Sequence, residues 1–150
     1  MFVICSMCDT LSDTDRLNAI LRASPTLMRV LEIARDLDLP EWRIVSGAIY
    51  QTIWNALTDR DPDYGIKDFD LFYFDGSDLS YEAEDVEIKR AAAAYPPALA
   101  PRVEVRNQAR VHLWFEQKFG EPYAALGSNR GCSRNSSFIV PPVCPSGTAR

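Results

Sequence analysis

The sequence predicts an α+β fold in which a mixed β-sheet is flanked by helices, with further helices at the N-terminus. Two helical patterns occur in succession before Pro40, and strand-like and helix-like segments then alternate as far as Gly120. Strands separated by helices in this order are typical of a sheet with helices packed on it. The 150 residues, 47% hydrophobic and 25% charged, suit one globular domain with its own core.

The N-terminal helices are predicted at Asp13–Arg22 and between Ser24 and Pro40. Ser24 is suited to cap the second helix, and Pro25 suits its first helical position. Apolar residues recur there at spacings of three and four, which predicts one buried stripe. The stripe contains Leu27, Val30, Leu31, Ala34 and Leu37. The residues of the first helix that are expected to face inward are Leu17, Ile20 and Leu21.

A strand, a turn of small residues and a helix come next. The strand is predicted at Trp42–Val45, Ser46 and Gly47 interrupt it, and the helix is predicted over Ala48–Leu57. The residues expected on the buried face of this helix are Ile49, Ile53, Trp54 and Leu57.

Two further strands are predicted, at Lys67–Phe74 and at Arg102–Arg106, where "RVEVR" alternates between polar and apolar residues. Between them, Ser80 is placed to cap a helix that runs to about Ala94, and acidic residues in its first turn favour the positive helix end. Residues 107–120 predict a last helix, which ends near Gly120.

The domain is predicted to span residues 1–127. Residues 128–150 are rich in Ser, Pro and Gly and show little periodicity, so they predict an irregular tail that is either truncated or disordered.

Asp68 and Asp70 stand at the entrance of one of the most apolar segments of the chain. Residues two apart in a strand point to the same side, so their carboxylates are expected to converge. Two adjacent carboxylates remain ionised at low cost only when a cation shares them. Mg²⁺ prefers such oxygen ligands, together with water and substrate phosphates. The alternative interpretation is a solvated acidic turn at the start of a strand.

Glu104 lies in the next predicted strand, between two valines and on the same face as Arg102 and Arg106. If this strand is adjacent to that of Asp68 and Asp70, three carboxylates meet, which is the number needed for two metal ions in phosphoryl transfer. The alternative is a surface glutamate that is paired with a neighbouring arginine.

Ser46 and Gly47 end one strand and open a helix, so free backbone N–H groups and the positive helix end point at whatever lies in front of them. A triphosphate would suit this place because small side chains let its oxygens approach the backbone. A plain tight turn is the alternative.

Four other polar residues lie near these motifs. Arg110 is a candidate for neutralising triphosphate charge, Asn107 for positioning a base or ribose, and Lys67 for contacting phosphate. Their structural alternatives are the satisfaction of loose backbone groups and an exposed ion pair. His112 is the single histidine, which excludes a multi-histidine metal site and predicts a packing or capping role.

Charge and cysteine content narrow the classes of function. The net charge is −5 and no Lys/Arg cluster occurs, so there is no strong electrostatic signature for nucleic acid. No stretch reaches the roughly 18 apolar residues of a membrane helix, and a cytoplasmic location is expected. Cys5 and Cys8 form a C-x-x-C, but Cys132 and Cys144 are poorly spaced to complete a zinc site, so reduced thiols are the main expectation.

The segments "RIVSGAIYQTIWNAL", "KDFDLFYF" and "VEVRNQARVHLWF" resemble the DNA polymerase beta nucleotidyltransferase superfamily. Residues 25–127 are similar, more narrowly, to a small bacterial family of nucleotidyltransferase-like proteins. The superfamily pattern is a small-residue turn that opens a helix, an Asp-x-Asp strand, and a third acidic residue on a later strand. Here Ser46-Gly47, Asp68 with Asp70, and Glu104 take these places.

The resemblance implies a nucleotidyltransferase-like mixed sheet with two Mg²⁺ ions and an NTP as the substrate. Asp68 and Asp70 would ligate both ions, and Glu104 would ligate the catalytic one and lower the pKa of the attacking hydroxyl. Ser46 and Gly47 would hold the β- and γ-phosphates. The reaction implied is attack of an unidentified hydroxyl acceptor on the α-phosphate, with release of pyrophosphate.

Two departures from the family pattern open an alternative function. Tyr50 stands where tRNA nucleotidyltransferases carry a basic residue, and the chain ends soon after residue 127, where relatives continue. The alternative is a catalytically inactive nucleotidyltransferase fold that acts as a binding or regulatory module.

Overall fold

The computed structural model describes residues 12–45 and 47–128. In these residues the chain forms five α-helices and one three-stranded sheet. The helices are α1 (Asp13–Arg22), α2 (Pro25–Leu37), α3 (Gly47–Leu57), α4 (Tyr81–Ala94) and α5 (Val111–Phe119). The strands are β1 (Arg43–Val45), β2 (Phe69–Tyr73) and β3 (Val103–Asn107). Within the described ranges, no helix is long and apolar enough to cross a membrane.

The sheet is mixed, as predicted. Its strand order is β1-β2-β3, with β1 antiparallel to β2 and β2 parallel to β3. The parallel pair is joined through α4, which packs on β3 and against α2. This α+β architecture of helices and a small mixed sheet confirms the predicted fold class.

The predicted helix caps are present. The Ser24 hydroxyl accepts a hydrogen bond from the Leu27 N–H at 3.3 Å, and the Ser80 hydroxyl accepts one from the Ala83 N–H at 3.2 Å. Each bond satisfies one of the N–H groups that a helix leaves unpaired in its first turn. The α2 stripe is confirmed as well, since Leu27 and Val30 are fully buried.

The two faces of the sheet differ in chemistry. One face packs against α2, α3 and α4 and forms the core; it includes the buried side chains of Ile44, Phe69, Leu71, Tyr73 and Val105. Side chains alternate between faces along a strand. The second face therefore carries Arg43, Val45, Asp70, Phe72, Glu104 and Arg106.

The buried face of α3 is only in part the one predicted, because Ile49 is buried and Ile53 partly buried as expected, while the other two residues face outward. Trp54 and Leu57 are 60% and 64% exposed, whereas Ala48, Ile49, Thr52 and Asn55 are buried. The helix turns two polar residues inward because both have backbone carbonyls to bind. The Thr52 hydroxyl donates to the Ala48 carbonyl at 2.8 Å, and the Asn55 amide donates to two carbonyls of the following loop.

Asn55 anchors the loop that leads into β2. Its fully buried Nδ2 donates to the carbonyls of Pro62 at 3.0 Å and Tyr64 at 2.8 Å, and its Oδ1 accepts from Gln51 at 2.9 Å. Because the buried amide binds two carbonyls of one loop, this one side chain fixes the path of the chain toward Asp68.

We expect Asn55→Ala to lower the free energy of unfolding by about 2 to 4 kcal/mol, because it leaves two loop carbonyls without their donor. The matched control is Gln51→Ala, which removes one hydrogen bond to Asn55 and keeps both carbonyl contacts; it should cost about 1 kcal/mol. Urea unfolding measures both values. Equal losses for the two variants would contradict the anchoring role.

Tyr95 links the end of α4 to α2, because its buried hydroxyl donates to the Val30 carbonyl at 3.1 Å. Tyr95→Phe should therefore lower the free energy of unfolding by about 1 kcal/mol. Tyr64→Phe is the control, since that residue is 55% exposed, and it should change stability by less than about 0.5 kcal/mol. Thermal unfolding monitored by circular dichroism compares the two.

Candidate active site

Asp70 and Glu104 are direct neighbours across the parallel strand pair. In the register of β2 and β3, Asp70 lies opposite Glu104 and Phe72 lies opposite Arg106. All four side chains share the face of the sheet that the core helices leave uncovered. Two carboxylates in adjacent positions on one face repel each other unless a positive charge lies between or beside them.

Arg106 supplies such a charge in this structure. Its guanidinium forms an ion pair with the Glu104 carboxylate two residues earlier on the same strand, and both side chains are 46% exposed. An ion pair with this exposure is worth at most about 1 kcal/mol. A divalent cation with phosphate ligands can therefore displace Arg106 from Glu104 at small cost.

Asp68 does not join this pair. It is exposed, precedes β2, and lines a separate cavity of about 250 Å³ together with Gly47 and Lys67. In the described part of the chain, no three Asp, Glu, His or Cys side chains are grouped closely enough to hold a metal ion. The expected meeting of three carboxylates is therefore absent from this arrangement. The reason is that β2 begins at Phe69, two residues later than predicted, so Asp68 lies outside the strand ladder.

Gly47 is the first residue of α3, so its N–H belongs to the unpaired first turn of the helix. A Cβ added at this position would meet no atom within 4 Å. The space on the side-chain side of Gly47 is therefore open. Ser46, the other residue of the predicted phosphate turn, lies outside the described residues, as do the four cysteines and residues 129–150.

Lys67 is exposed at the edge of the same small cavity and forms no ion pair with any described carboxylate. The backbone around it is held from β3. Arg102, which lies in a 3-10 turn before that strand, donates to the carbonyls of Ile66 at 2.8 Å and Lys67 at 3.3 Å. Arg102 therefore supports the segment before Asp68 and does not share the face of Glu104.

Asn107 has a structural role at the end of β3. Its Oδ1 accepts from the backbone N–H groups of Asp75 at 3.0 Å and Ala109 at 3.1 Å, and its Nδ2 donates to the Asp75 carbonyl at 2.8 Å. The side chain is buried and its polar atoms are occupied. A contact from Asn107 to a base or ribose, expected as one alternative from the sequence, is disfavoured because the side chain is buried and both of its polar atoms already bind backbone groups.

Arg110 likewise binds other groups of the protein. Its guanidinium forms an ion pair with Glu84 and donates to the Leu79 carbonyl at 2.9 Å. Both charged side chains are nearly buried, at 13% and 6% exposure. Breaking a buried pair by removing one partner costs about 3 to 5 kcal/mol, so we expect Arg110 to stay with Glu84 when a triphosphate binds nearby.

Glu84 is the residue that sequence reasoning missed. Besides pairing with Arg110, its Oε1 accepts from the Asn107 N–H at 2.8 Å and so connects α4 to the end of β3. In the sequence it looked like one of several acidic residues in a helix first turn. The sequence shows only that Glu84 lies in the first turn of α4. Its burial against residues 107–110 cannot be derived from that position alone.

Two other titratable groups, Tyr73 and Asp75 at the end of β2, have shifted pKa values. Burial raises the pKa of Tyr73 far above its ordinary value, and the negative charge of Glu84 adds to the effect, so its hydroxyl stays protonated. Hydrogen bonds from the Ser77 hydroxyl and N–H hold the pKa of Asp75 below its usual range. The Asp75 carboxylate is thus bound within a turn with Ser77.

The paired carboxylates open into one large cleft of about 790 Å³ between the sheet face and α5. Its charged lining residues are Asp70, Glu84, Glu104, Arg106, Arg110 and Lys118. Its other side chains are mainly aromatic, with Phe72, Tyr81, Trp114, Phe115 and Tyr123. Ligand pockets in proteins typically have about 300–1,000 Å³, so this cleft has room for a nucleotide.

Comparison with known proteins agrees with these observations. A protein-family model described as "Nucleotidyltransferase" matches residues 32–129. No curated protein sequence matches the chain. One solved structure, determined by NMR and described as revealing a CCA-adding enzyme head domain, aligns with a TM-score of 0.63 and 27% identity. The alignment covers 84% of this chain and 61% of that one, so the present chain spans about three fifths of its relative.

The matched family model covers well over half of the sequence and includes every residue of the candidate site. The chain belongs to the nucleotidyltransferase family.

Proposed function

We propose that the protein is a Mg²⁺-dependent enzyme that transfers a nucleoside monophosphate from an NTP to a hydroxyl acceptor. The observation that carries the proposal is the register of the parallel strands, which sets Asp70 directly beside Glu104 on the open sheet face. The likeness to a CCA-adding enzyme head domain supports the reaction class. Incubating the protein with labelled NTP, Mg²⁺ and cell extract should transfer label to the hydroxyl compound that acts as acceptor.

The two carboxylates suit one divalent ion once Arg106 leaves Glu104. Mg²⁺ in phosphoryl-transfer sites is usually held by one or two carboxylates, with water and substrate phosphates completing its shell. Asp70 and Glu104 provide that donor set, with oxygen atoms and two negative charges on one face. A second ion requires Asp68 to turn from the smaller cavity toward Asp70, which spacing permits because residues two apart on extended chain share a side.

In the proposed reaction, the acceptor oxygen attacks the α-phosphorus, the bond between the α- and β-phosphates breaks, and pyrophosphate leaves. The ion would supply charge neutralisation and a lower pKa for the attacking hydroxyl, whose proton passes to solvent. Gly47 at the start of α3 would bind the β- and γ-phosphates through its backbone N–H. Lys67, at the edge of the same cavity, would add a positive charge to this phosphate site.

A catalytically inactive binding module is the second candidate. The observation that favours it is Tyr50, which lines the cavity of Gly47 where a basic side chain would contact phosphate, and whose ring stacks on Trp54 with 6.3 Å between centroids. Such a protein would bind NTP without releasing pyrophosphate.

We expect Asp70→Asn and Glu104→Gln each to lower the rate of pyrophosphate release by roughly 100-fold or more, because each removes a metal ligand. Each variant should also lose most of the thermal stabilisation that Mg²⁺ with NTP gives the unaltered protein. Glu82→Gln is the matched control, since that glutamate is exposed on α4 and outside the cleft.

The two readouts separate the candidates. Stabilisation by Mg²⁺ and NTP without pyrophosphate release in any extract would favour the inactive module. If Mg²⁺ and NTP give no stabilisation of the unaltered protein, both candidates fail.

Gly47→Ala tests the phosphate site. The added methyl meets open space and alanine favours helix, so the free energy of unfolding should stay level or rise by up to about 1 kcal/mol. NTP affinity should nevertheless fall, since the methyl occupies the space that phosphate oxygens need. Gly127→Ala, also in open space but outside the site, should change neither quantity. Isothermal titration calorimetry and urea unfolding give both values; unchanged NTP affinity in Gly47→Ala would refute the phosphate role.

A further inference from the structure

The large cleft has two chemically different ends. Asp70, Glu104 and Arg106 on the sheet form a charged end, while Trp114 and Phe115 on α5 form an apolar one. A purely apolar ligand would leave the charges of the sheet face poorly solvated, and a small anion would leave the aromatic wall bare. A molecule with a charged end and a flat apolar end matches both.

The aromatic wall is a cluster of its own. The centroid of the Phe115 ring lies 4.7 Å from that of Phe119 and 4.6 Å from that of Tyr123. The ring centroids of Trp114 and Phe115 are 6.2 Å apart. In the described part of the chain, none of these four rings belongs to the hydrophobic core beneath the sheet. Their packing therefore adds nothing to that core cluster, and another reason is needed for four rings in the ten residues 114–123.

Trp114 is the ring best placed to receive a ligand. It is 39% exposed, it lines the cleft, and Lys118 on the next helical turn lies 5.6 Å from its ring centroid. An exposed aromatic group at the rim of a charged cleft is a feature of binding sites. Planar bases stack on such rings, and a neighbouring lysine adds a positive charge for the phosphates or sugar.

We propose that Trp114 is the stacking platform for the base of the bound nucleotide, with Phe115 and Tyr123 as the wall behind it. The inference rests on the proposed function, because it assumes that the α-phosphate lies at the carboxylate end of the same cleft, with the β- and γ-phosphates directed toward Gly47. Stacking tolerates every base, so Trp114 provides affinity for nucleotides as a class and does not select among them.

A second aromatic pair, Tyr50 and Trp54, is the alternative place for the base. It lies beside the smaller cavity of about 250 Å³, below the usual range for ligand pockets. That cavity suits phosphate groups better than a nucleoside, so we assign the base to α5.

The test compares ligands with and without a base. Calorimetry with Mg²⁺ plus ATP, CTP, GTP or UTP measures affinity for the whole nucleotide, and Mg²⁺ plus tripolyphosphate measures the phosphate site alone. Trp114→Ala should weaken NTP binding by roughly 5- to 150-fold, while tripolyphosphate affinity changes less than about twofold. Trp114→Phe should keep most of the affinity. Leu113→Ala, 48% exposed on the same helix but outside the cleft, is the matched control.

A fluorescence measurement keeps the test independent of how well Trp114→Ala folds. The chain has three tryptophans, so Trp42→Phe combined with Trp54→Phe leaves Trp114 as the single emitter. NTP with Mg²⁺ should quench this emission, and tripolyphosphate with Mg²⁺ should not.

The outcomes are distinct. Normal NTP affinity in Trp114→Ala, or a loss seen in Trp54→Ala instead, overturns the stacking role and leaves the proposed function intact. If the unaltered protein binds neither NTP nor tripolyphosphate with Mg²⁺, the proposed function fails and the stacking role fails with it.

Discussion

The parallel pairing of β2 with β3 is the constraint on which the candidate site depends. It sets Asp70 and Glu104 at the same level on the same face, and it turns Leu71 and Val105 into the core. A slip of one residue in either strand would send a carboxylate toward the helices and an apolar side chain toward the cleft. Burial of the core face therefore maintains the geometry of the charged face.

The Glu84–Arg110 pair strengthens this constraint at the end of β3. Two charges that are almost out of solvent are tolerated because Glu84 also binds the Asn107 N–H and Arg110 also binds the Leu79 carbonyl. The pair connects α4, the end of β3 and the turn before α5 through one set of polar contacts. Arg110 and Asn107 thus position backbone beside the candidate site. The cations left to face the cleft from the sheet and α5 are Arg106 and Lys118.

Much of the fold could be predicted from the sequence because its signals are local. Ser24 and Ser80 cap helices through contacts three residues away, and each predicted strand begins and ends within two residues of the observed one. The predictions that Trp54 faces inward and that Asp68 lies within the strand were wrong, for non-local reasons. The inward face of α3 is decided by loop carbonyls that bind Asn55, and the position of Asp68 is decided by where pairing with β3 begins.

The joining of β2 to β3 through α4 has a consequence for how the protein acquires its site during folding. The two carboxylates lie on strands that become neighbours only after a whole helical crossover has docked, so their meeting is a long-range and late-forming contact. Nascent chains and partly unfolded species would carry the individual acidic residues without the pair. If the proposed function holds, affinity for a divalent ion is reserved for molecules that have completed the crossover, and ion binding then reports correct tertiary assembly.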